Sequence, residues 1–373
     1  EHMCFKGTKR RPRAIDIARE LDSIGSEYNA FTSQEYTGYY AKSNPRHFKK
    51  ILDVVADLYQ NPVFNPIEIE KEKGVIVEEI NMYEDIPYRH VQDLFTDVLY
   101  GDEPAGRNIA GTRESVRAMT ANDFLDYRAK HYLAPATTVI VAGNITEEAA
   151  LAEASVAFAG VPSGIKEGKA PVVEEQSEPK LLTKHRATDQ VHLVLGVRSF
   201  PIYSKEYLVM KLIDALLGGG MSSRLFQKLR EEMGVGYYVR TSDNAFTDHG
   251  YFDVSTGVDK NRVGDVVKAL LGEFRRLKEE KVTPSELQKA KDYFTGTMDL
   301  NLESSDSLAE FYGYQEVLKK PLESPADIAS AVKEVSAEDI ARVATLIFTN
   351  ERLNLALIGP DPREDELRAL LSL

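Results

Sequence analysis

Hydrophobic residues recur along the chain with two different periods. Where they return every three or four positions, the spacing predicts helices, at residues 10–23, 46–60, 66–83, 114–131, 205–217, 222–233, 261–279, 284–302 and 336–348. Apolar runs rich in β-branched residues predict strands at residues 138–142, 191–195 and 353–358. Strands mixed with helix pairs favour an α+β fold, with antiparallel or mixed sheets that pack helices on one face.

The two halves of the chain carry related patterns. Residues 37–40 (TGYY) resemble residues 249–252 (HGYF), and an amphipathic helix follows each. Further on, residues 65–73 resemble residues 283–291, and both segments begin with an N-cap residue followed by proline. A repeat of this length indicates two homologous domains.

A stretch rich in glycine, proline and charged residues separates the two patterns. It predicts a linker at residues 166–179, between an N-terminal domain at 1–165 and a C-terminal domain at 180–373. The length of 373 residues is sufficient for two domains.

Composition indicates which partners and which cell compartment to expect. A net charge of -13 argues against nucleic acid as a partner. No apolar run approaches the roughly 20 residues of a membrane-spanning helix, and the basic N-terminal stretch is no signal peptide. Cys4 is the only cysteine, so intrachain disulfides are impossible. We expect a cytoplasmic protein, with a deleted upstream targeting segment as the alternative.

The candidate chemistry lies in the first two residues and in one later helix. The pair Glu1-His2 and the distant Glu79 match the second part of an inverted zinc motif, His-x-x-Glu-His followed by a far carboxylate. A catalytic zinc needs His and carboxylate ligands and a base that is not itself a ligand. This makes His2 and Glu79 the ligands of one Zn²⁺ per chain, and Glu1 the base. The first His of the motif would stand three residues before Glu1, so we predict that the chain is truncated within its active site.

A second carboxylate, Glu72, stands seven residues before Glu79. Two helical turns separate them, so they share one helix face about 10 Å apart along the axis. Alone they would be solvated surface residues, but beside the terminal Glu-His pair we interpret Glu72 as an acid that orients a ligand. At the same repeat offset, 218 positions later, the second half has Ala290 and Thr297. This difference favours a specific task for the first-half pair.

Three sequence segments together resemble one family. Residues 1–8 (EHMCFKGT), residues 28–32 (YNAFT) and the Glu72-x6-Glu79 spacing look like the signature of the pitrilysin and mitochondrial processing peptidase family of inverzincins. The chain looks similar to the bacterial members of that family, which have two domains per chain. The resemblance implies the metallohydrolase fold of that family and a zinc endopeptidase that cleaves unstructured peptides inside a clamshell cavity.

The resemblance also implies residues that bind substrate. Arg230 and Tyr237 match an Arg and a Tyr, seven positions apart, that contact the substrate backbone and the oxyanion. A cation and a phenol can both donate to developing negative charge. Tyr238 is a rival for Tyr237, and the spacing favours Tyr237. On pattern alone, Asn29, Ala30 and Phe31 begin an edge strand, and they resemble the strand that docks substrate beside the zinc.

These residues lead to one functional hypothesis and two rivals. We expect a homodimer in which Arg230 and Tyr237 of one chain reach the zinc of the other. With His2 and Glu79 as the only ligands, we expect weak or absent zinc binding and poor cleavage by this fragment. The rivals are a non-catalytic scaffold or partner subunit of the same family, and a peptide-binding clamp that resembles a chaperone.

Overall fold

The computed structural model describes residues 1–361 and 363–373. They form two compact units that interleave along the chain, the first with residues 1–82, 108–169 and 302–322, the second with residues 83–107, 170–301 and 323–373. The step from residue 169 to 170 falls within the predicted linker, whereas residues 83–107 and 302–322 join the unit of the other half. Among the described residues, none of the helices combines the length and hydropathy that crossing a bilayer requires.

The first unit contains an antiparallel hairpin, β1 (Glu27–Thr32) and β2 (Thr37–Lys42). Its helices are α1 (Ala14–Asp22), α2 (Phe48–Gln60), all but the last turn of α3 (Pro66–Asp85), α5 (Arg113–Ala118), α6 (Ala121–His131), α7 (Glu147–Ala157) and α12 (Ser305–Val317). Short 3₁₀-helices lie at His2–Lys6, Pro45–His47 and Ala134–Ala136. Ile17 and Leu21 of α1 pack against Val54 and Leu58 of α2 to form its core.

The second unit is built on a mixed sheet of five strands, in the order β3-β7-β4-β6-β5. The strands are β3 (Lys180–His185), β4 (Val191–Arg198), β5 (Val239–Ala245), β6 (Gly250–Val258) and β7 (Leu353–Gly359). β3 and β7 are parallel, and the other neighbours are antiparallel.

The helices of the second unit surround this sheet. They are α4 (Pro87–Tyr100), α8 (Tyr207–Gly218), α9 (Arg224–Phe226), α10 (Val263–Glu279), α11 (Pro284–Asn301), α13 (Pro325–Glu334), α14 (Ala337–Ile347) and α15 (Glu364–Leu370). A π-helical segment, Gln227–Glu232, continues α9, and 3₁₀-helices lie at Pro104–Gly106 and Asn350–Arg352.

Both faces of the five-stranded sheet are covered. Leu193 and Leu195 of β4 belong to the large core shared with α8, α10 and α14. Val194 packs instead with Phe95 of α4. Successive side chains of a strand point to opposite faces, so α4 lies on the other side of the sheet. Gly196 makes room for it, because a Cβ there would lie 2.7 Å from the Phe95 ring.

The predicted α+β class is confirmed, and the repeat is visible in the element order. The series β1-β2-α2-α3 in the first half recurs as β5-β6-α10-α11 in the second. The predicted strands at 191–195 and 353–358 are confirmed as β4 and β7.

The predicted strand at residues 138–142 is wrong, because these residues form no regular secondary structure. Val139 and Ile140 are 38% and 42% exposed. β-branched side chains favour an extended backbone, but a strand also needs a neighbour with which to form hydrogen bonds. In the described residues of this unit, β1 and β2 pair only with each other.

A cluster of buried charges lies where α8 contacts β5 and β6. Lys211 Nζ is 3.0 Å from the Asp243 carboxylate. Asp253 on β6 is almost wholly buried and accepts a hydrogen bond of 3.1 Å from Asn244. Burial, together with the nearby charge of Asp214, raises the pKa of Asp253 to about 8.

This raised pKa predicts the direction in which stability changes with pH. Folded Asp253 binds its proton more tightly than the unfolded chain does, so its contribution to the free energy of unfolding is full below about pH 4. It is lost as pH rises toward about 8, by at most about 1.4 kcal/mol per pH unit. In urea unfolding at a series of pH values, Asp253→Asn should therefore lose less stability over this range than the wild type.

The control is Asp299→Asn on an exposed part of α11, which should follow the wild-type curve. An Asp253→Asn curve parallel to that of the wild type would contradict the raised pKa.

Candidate functional site

The candidate zinc residues come from two helices of the first unit. Glu1 precedes the 3₁₀-helix His2–Lys6, and its carbonyl accepts a hydrogen bond of 3.0 Å from the backbone N–H of Cys4. Glu72 and Glu79 both lie on α3. Cys4 is buried, with its Sγ 3.3 Å from the Tyr39 hydroxyl.

The imidazole of His2 lies among three carboxylates. Its Nδ1 is 2.9 Å from Glu72 Oε1. Its Nε2 is 3.8 Å from Glu79 Oε2 and 4.0 Å from Glu1 Oε1. The structure therefore brings together all four residues of the candidate zinc site.

Glu72 is the most buried member of this group, with 5% of its surface exposed. Burial raises its pKa, but hydrogen bonds from Lys6 and His2 lower it by more, so the net pKa is below the ordinary value. Lys6 Nζ is 2.6 Å from Glu72 Oε2. An ionised carboxylate can only accept a hydrogen bond, so this contact requires a proton on His2 Nδ1.

Glu1 is held by the hairpin. Its Oε2 accepts a hydrogen bond from the Thr32 hydroxyl at the end of β1. The side chains of Glu1 and Glu79 are 19% and 33% exposed, so water can reach the space that they share with His2.

His2 and Glu79 have donor chemistry suited to zinc. Two donor atoms on one tetrahedral zinc, each about 2.0–2.1 Å from the ion, lie about 3.4 Å apart. The separation of 3.8 Å between His2 Nε2 and Glu79 Oε2 is close to that value, so this pair fits the ion. Catalytic zinc sites use three protein ligands. Within residues 1–361 and 363–373, no group of three or more His, Cys, Asp and Glu side chains is arranged to hold a metal.

The strand β1 has one edge without a strand partner in the described residues. Ser33 N–H donates to Tyr36 O, and the register pairs Phe31 with Gly38, so the odd-numbered residues of β1 bond to β2. Ala30 and its even-numbered neighbours therefore face the open edge. The N–H of Ala30 donates to the Asn29 side chain at 2.9 Å, a contact that an added strand would replace.

Phe31 lies on the face of the hairpin that is turned away from α1. A Cβ on Gly38 would lie 2.4 Å from the Phe31 ring, so glycine is needed there for the ring to cross β2. Phe31 is 41% exposed. Among the three predicted docking residues, Ala30 thus offers backbone groups at the open edge, and Phe31 offers an exposed ring.

Arg230 and Tyr237 belong to the second unit. Arg230 lies in the π-helical segment, and its Nη1 donates to Gly236 O at 2.9 Å. Tyr237 is 68% exposed, while its backbone N–H donates to Gly257 O on β6. Tyr238, the rival, contacts His192 Nδ1 at 3.1 Å, and burial raises its pKa to about 12. Of the two tyrosines, Tyr237 has the more accessible side chain.

Two contacts of the site were not predicted from the sequence, those of Lys6 and Thr32. The sequence contained a signal for the contact of Lys6. Glu72 stands where the second half has Ala290, and a carboxylate that is buried at such a position needs a nearby cation. Thr32 has no such signal, since its contact with Glu1 depends on how the hairpin packs.

Comparison with known families accounts for most of the chain. Residues 1–113 match the family described as insulinase (peptidase family M16). Residues 118–294 match the peptidase M16 inactive domain.

Curated relatives extend the match to nearly the full length. The chain is 34% identical to the uncharacterized zinc protease YmxG of Bacillus subtilis, over 96% of this chain and 87% of that protein. It is 32% identical to an uncharacterized zinc protease of Streptomyces coelicolor, over 96% of this chain and 79% of the relative.

Solved structures share the fold. A protease from Helicobacter pylori superposes with a TM-score of 0.90 at 20% identity, over 96% of this chain and 88% of that one. A peptidase M16 inactive domain from Pseudomonas fluorescens gives 0.87 at 19% identity, over 96% and 87% of the two chains. The family predicted from the sequence is therefore confirmed, and this chain belongs to peptidase family M16, in the two-domain form of its bacterial relatives.

Proposed function

We propose that this chain is the zinc-site subunit of a homodimeric endopeptidase that cleaves unstructured peptides. The observation that carries the proposal is the pair of contacts at His2, with Glu72 on Nδ1 and Glu79 near Nε2. Second-sphere carboxylates of this kind fix the tautomer and orientation of metal-binding imidazoles. The names of the relatives, which are zinc proteases, agree with this assignment.

His2 Nε2 and Glu79 are the proposed zinc ligands, and Glu1 is the proposed base. Bound zinc would supply Lewis acidity toward the scissile carbonyl and lower the pKa of a water toward about 7. Glu1 takes a proton from the attacking water and passes it to the leaving amine. The hydrogen bond from Thr32 orients one oxygen of Glu1 and leaves the other facing His2, 4.0 Å away.

The open edge of β1 is the proposed docking site for substrate. An extended peptide that adds there would pair with backbone groups around Ala30, with little demand on its own sequence. Thr32 ends this strand and contacts Glu1, so a peptide along the edge would run toward the proposed base. Folded proteins do not offer an extended backbone, which explains a preference for unstructured chains.

Arg230 and Tyr237 of a second copy are proposed to complete the site. Both can donate hydrogen bonds to the oxygen that becomes negative in the transition state. Tyr237 is exposed, and the Arg230 guanidinium holds the loop at Gly236 beside it. Because one sequence contains both sets of residues, a homodimer needs no different partner.

One observation favours the rival for the chain as it stands. In the part of the chain that the structure describes, no group of three or more His, Cys, Asp and Glu side chains could hold a metal, and two protein ligands seldom hold zinc tightly. The rival is a non-catalytic scaffold or peptide-binding subunit of the same family. Cytoplasmic location stays a prediction based on the single cysteine.

Zinc binding separates these possibilities. By calorimetry, this chain should bind zinc weakly, with a dissociation constant above the micromolar range. A form with His three positions before Glu1, the extended form, should bind zinc more tightly. In that extended form, His2→Ala and Glu79→Gln should abolish tight binding, because each removes a ligand. His131→Ala, on an exposed part of α6, is the matched control.

The same extended form tests catalysis on a fluorogenic unfolded peptide. Glu1→Gln should lower kcat by about 10²- to 10⁴-fold, since proton transfer is lost, while zinc affinity stays close to that of the parent. If the unsubstituted extended form binds zinc tightly but does not cleave the peptide, the endopeptidase is rejected and the non-catalytic scaffold is favoured.

Mixed dimers test whether two chains share one site. Glu79→Gln and Arg230→Ala should each be inactive alone, because one lacks a zinc ligand and the other an oxyanion donor. Random mixing of equal amounts should restore about a quarter of the parent activity, since half of the dimers regain one of two sites. Activity that stays at the level of the separate variants would contradict sharing.

A further inference from the structure

We propose that Lys6 is a positioning residue that acts through Glu72 to select the His2 tautomer with its proton on Nδ1. The metal-binding meaning of this role rests on the proposed function. The tautomer itself is a property of the chain without metal.

The geometry is a bridge across one carboxylate. Lys6 Nζ is 2.6 Å from Glu72 Oε2, and His2 Nδ1 is 2.9 Å from the other oxygen, Oε1. Both partners come from the same 3₁₀-helix, four positions apart. With one oxygen held by Lys6, the carboxylate has its second oxygen directed at Nδ1.

The repeat shows why a cation is needed here. The position of Glu72 corresponds to Ala290, which is 1% exposed in the second half, so the fold buries this position in both copies. Alanine is easily accommodated there. A carboxylate loses its hydration and requires compensating charge and hydrogen bonds. Lys6 supplies the charge, and its side chain is 28% exposed.

Two other carboxylates favour the opposite tautomer of His2, with the proton on Nε2. Glu79 and Glu1 place carboxylate oxygens 3.8 and 4.0 Å from Nε2, and both would favour a proton on that atom. A proton on Nε2 would block it as a metal donor. The proton stays on Nδ1 only if the Glu72 oxygen stays at hydrogen-bond distance from that atom, and the contact with Lys6 holds the oxygen there.

The helix α3, which carries Glu72, also offers a matched control. Lys71 Nζ is 2.6 Å from Glu68 Oε1, as short a contact as that of Lys6 with Glu72, but both of its side chains are more exposed. Lys71→Met therefore removes the same charge and an ion pair of the same length from α3, without disturbing the bridge.

The tautomer can be read directly by ¹⁵N NMR of the metal-free chain labelled at histidine, at a pH where the imidazole is neutral. His2 should show a protonated Nδ1 and an unprotonated Nε2. Lys6→Met should shift the population toward the other tautomer, whereas Lys6→Arg, which keeps the cation, and Lys71→Met should not. In the form extended by the upstream His, zinc affinity should fall by about 10- to 100-fold in Lys6→Met alone.

Two results would overturn the proposal: a wild-type His2 with its proton on Nε2, or a Lys6→Met spectrum identical to that of Lys71→Met. If circular dichroism shows that Lys6→Met does not fold, Lys6→Gln is measured in its place, since it keeps a donor and removes the charge. A wild-type proton on Nδ1 that moves in the Lys6 variant, together with an extended form that binds no zinc tightly, would support the positioning role and reject the proposed function.

Discussion

The candidate site depends on a single buried carboxylate with two partners. Glu72 cannot be solvated where α3 places it, and it is stable there because Lys6 and His2 each bind one of its oxygens. Leaving a fully buried charge unpaired costs about 3–5 kcal/mol, and partial exposure of Lys6 reduces that figure here. The same contacts anchor the N-terminal 3₁₀-helix to α3, so the interaction that stabilises the local fold also orients the imidazole.

The length of α3 explains how one imidazole meets two acids from the same helix. Seven residues advance a helix by about 10 Å. The two ring nitrogens of His2 face different directions, and long Glu side chains close the remaining distance from either end. Glu72 is buried and paired with Lys6 and His2, whereas Glu79, one-third exposed, faces the side that water can reach. The two acids are alike in sequence and differ in environment.

Duplication allows the two halves to differ in their tasks. In the second half, Ala290 packs into the large core beside α8, and Thr297 stands where the other half has Glu79. That core includes residues of β4, β6, β7 and the helices on one face of the sheet. The first unit has a much smaller buried cluster, between α1 and α2. Hydrophobic packing dominates the second half, whereas the first half has Glu72 and Glu79 at the positions of Ala290 and Thr297.

The sequence by itself determined the period of the helices, the apolar strands β4 and β7, the residue types of the site and the family, because these depend on residues close together in the chain or on a fixed spacing along one helix. The failed strand at 138–142 marks the limit, since a strand also depends on a neighbour that local pattern does not reveal. Only the tertiary structure decided that Lys6 and Thr32 touch the site, and which nitrogen of His2 faces which carboxylate. The contacts of Thr32 with Glu1, of Lys6 with Glu72, and of His2 with Glu72 and Glu79 join residues 31 to 77 positions apart. They depend on how the hairpin and α3 pack against the 3₁₀-helix His2–Lys6.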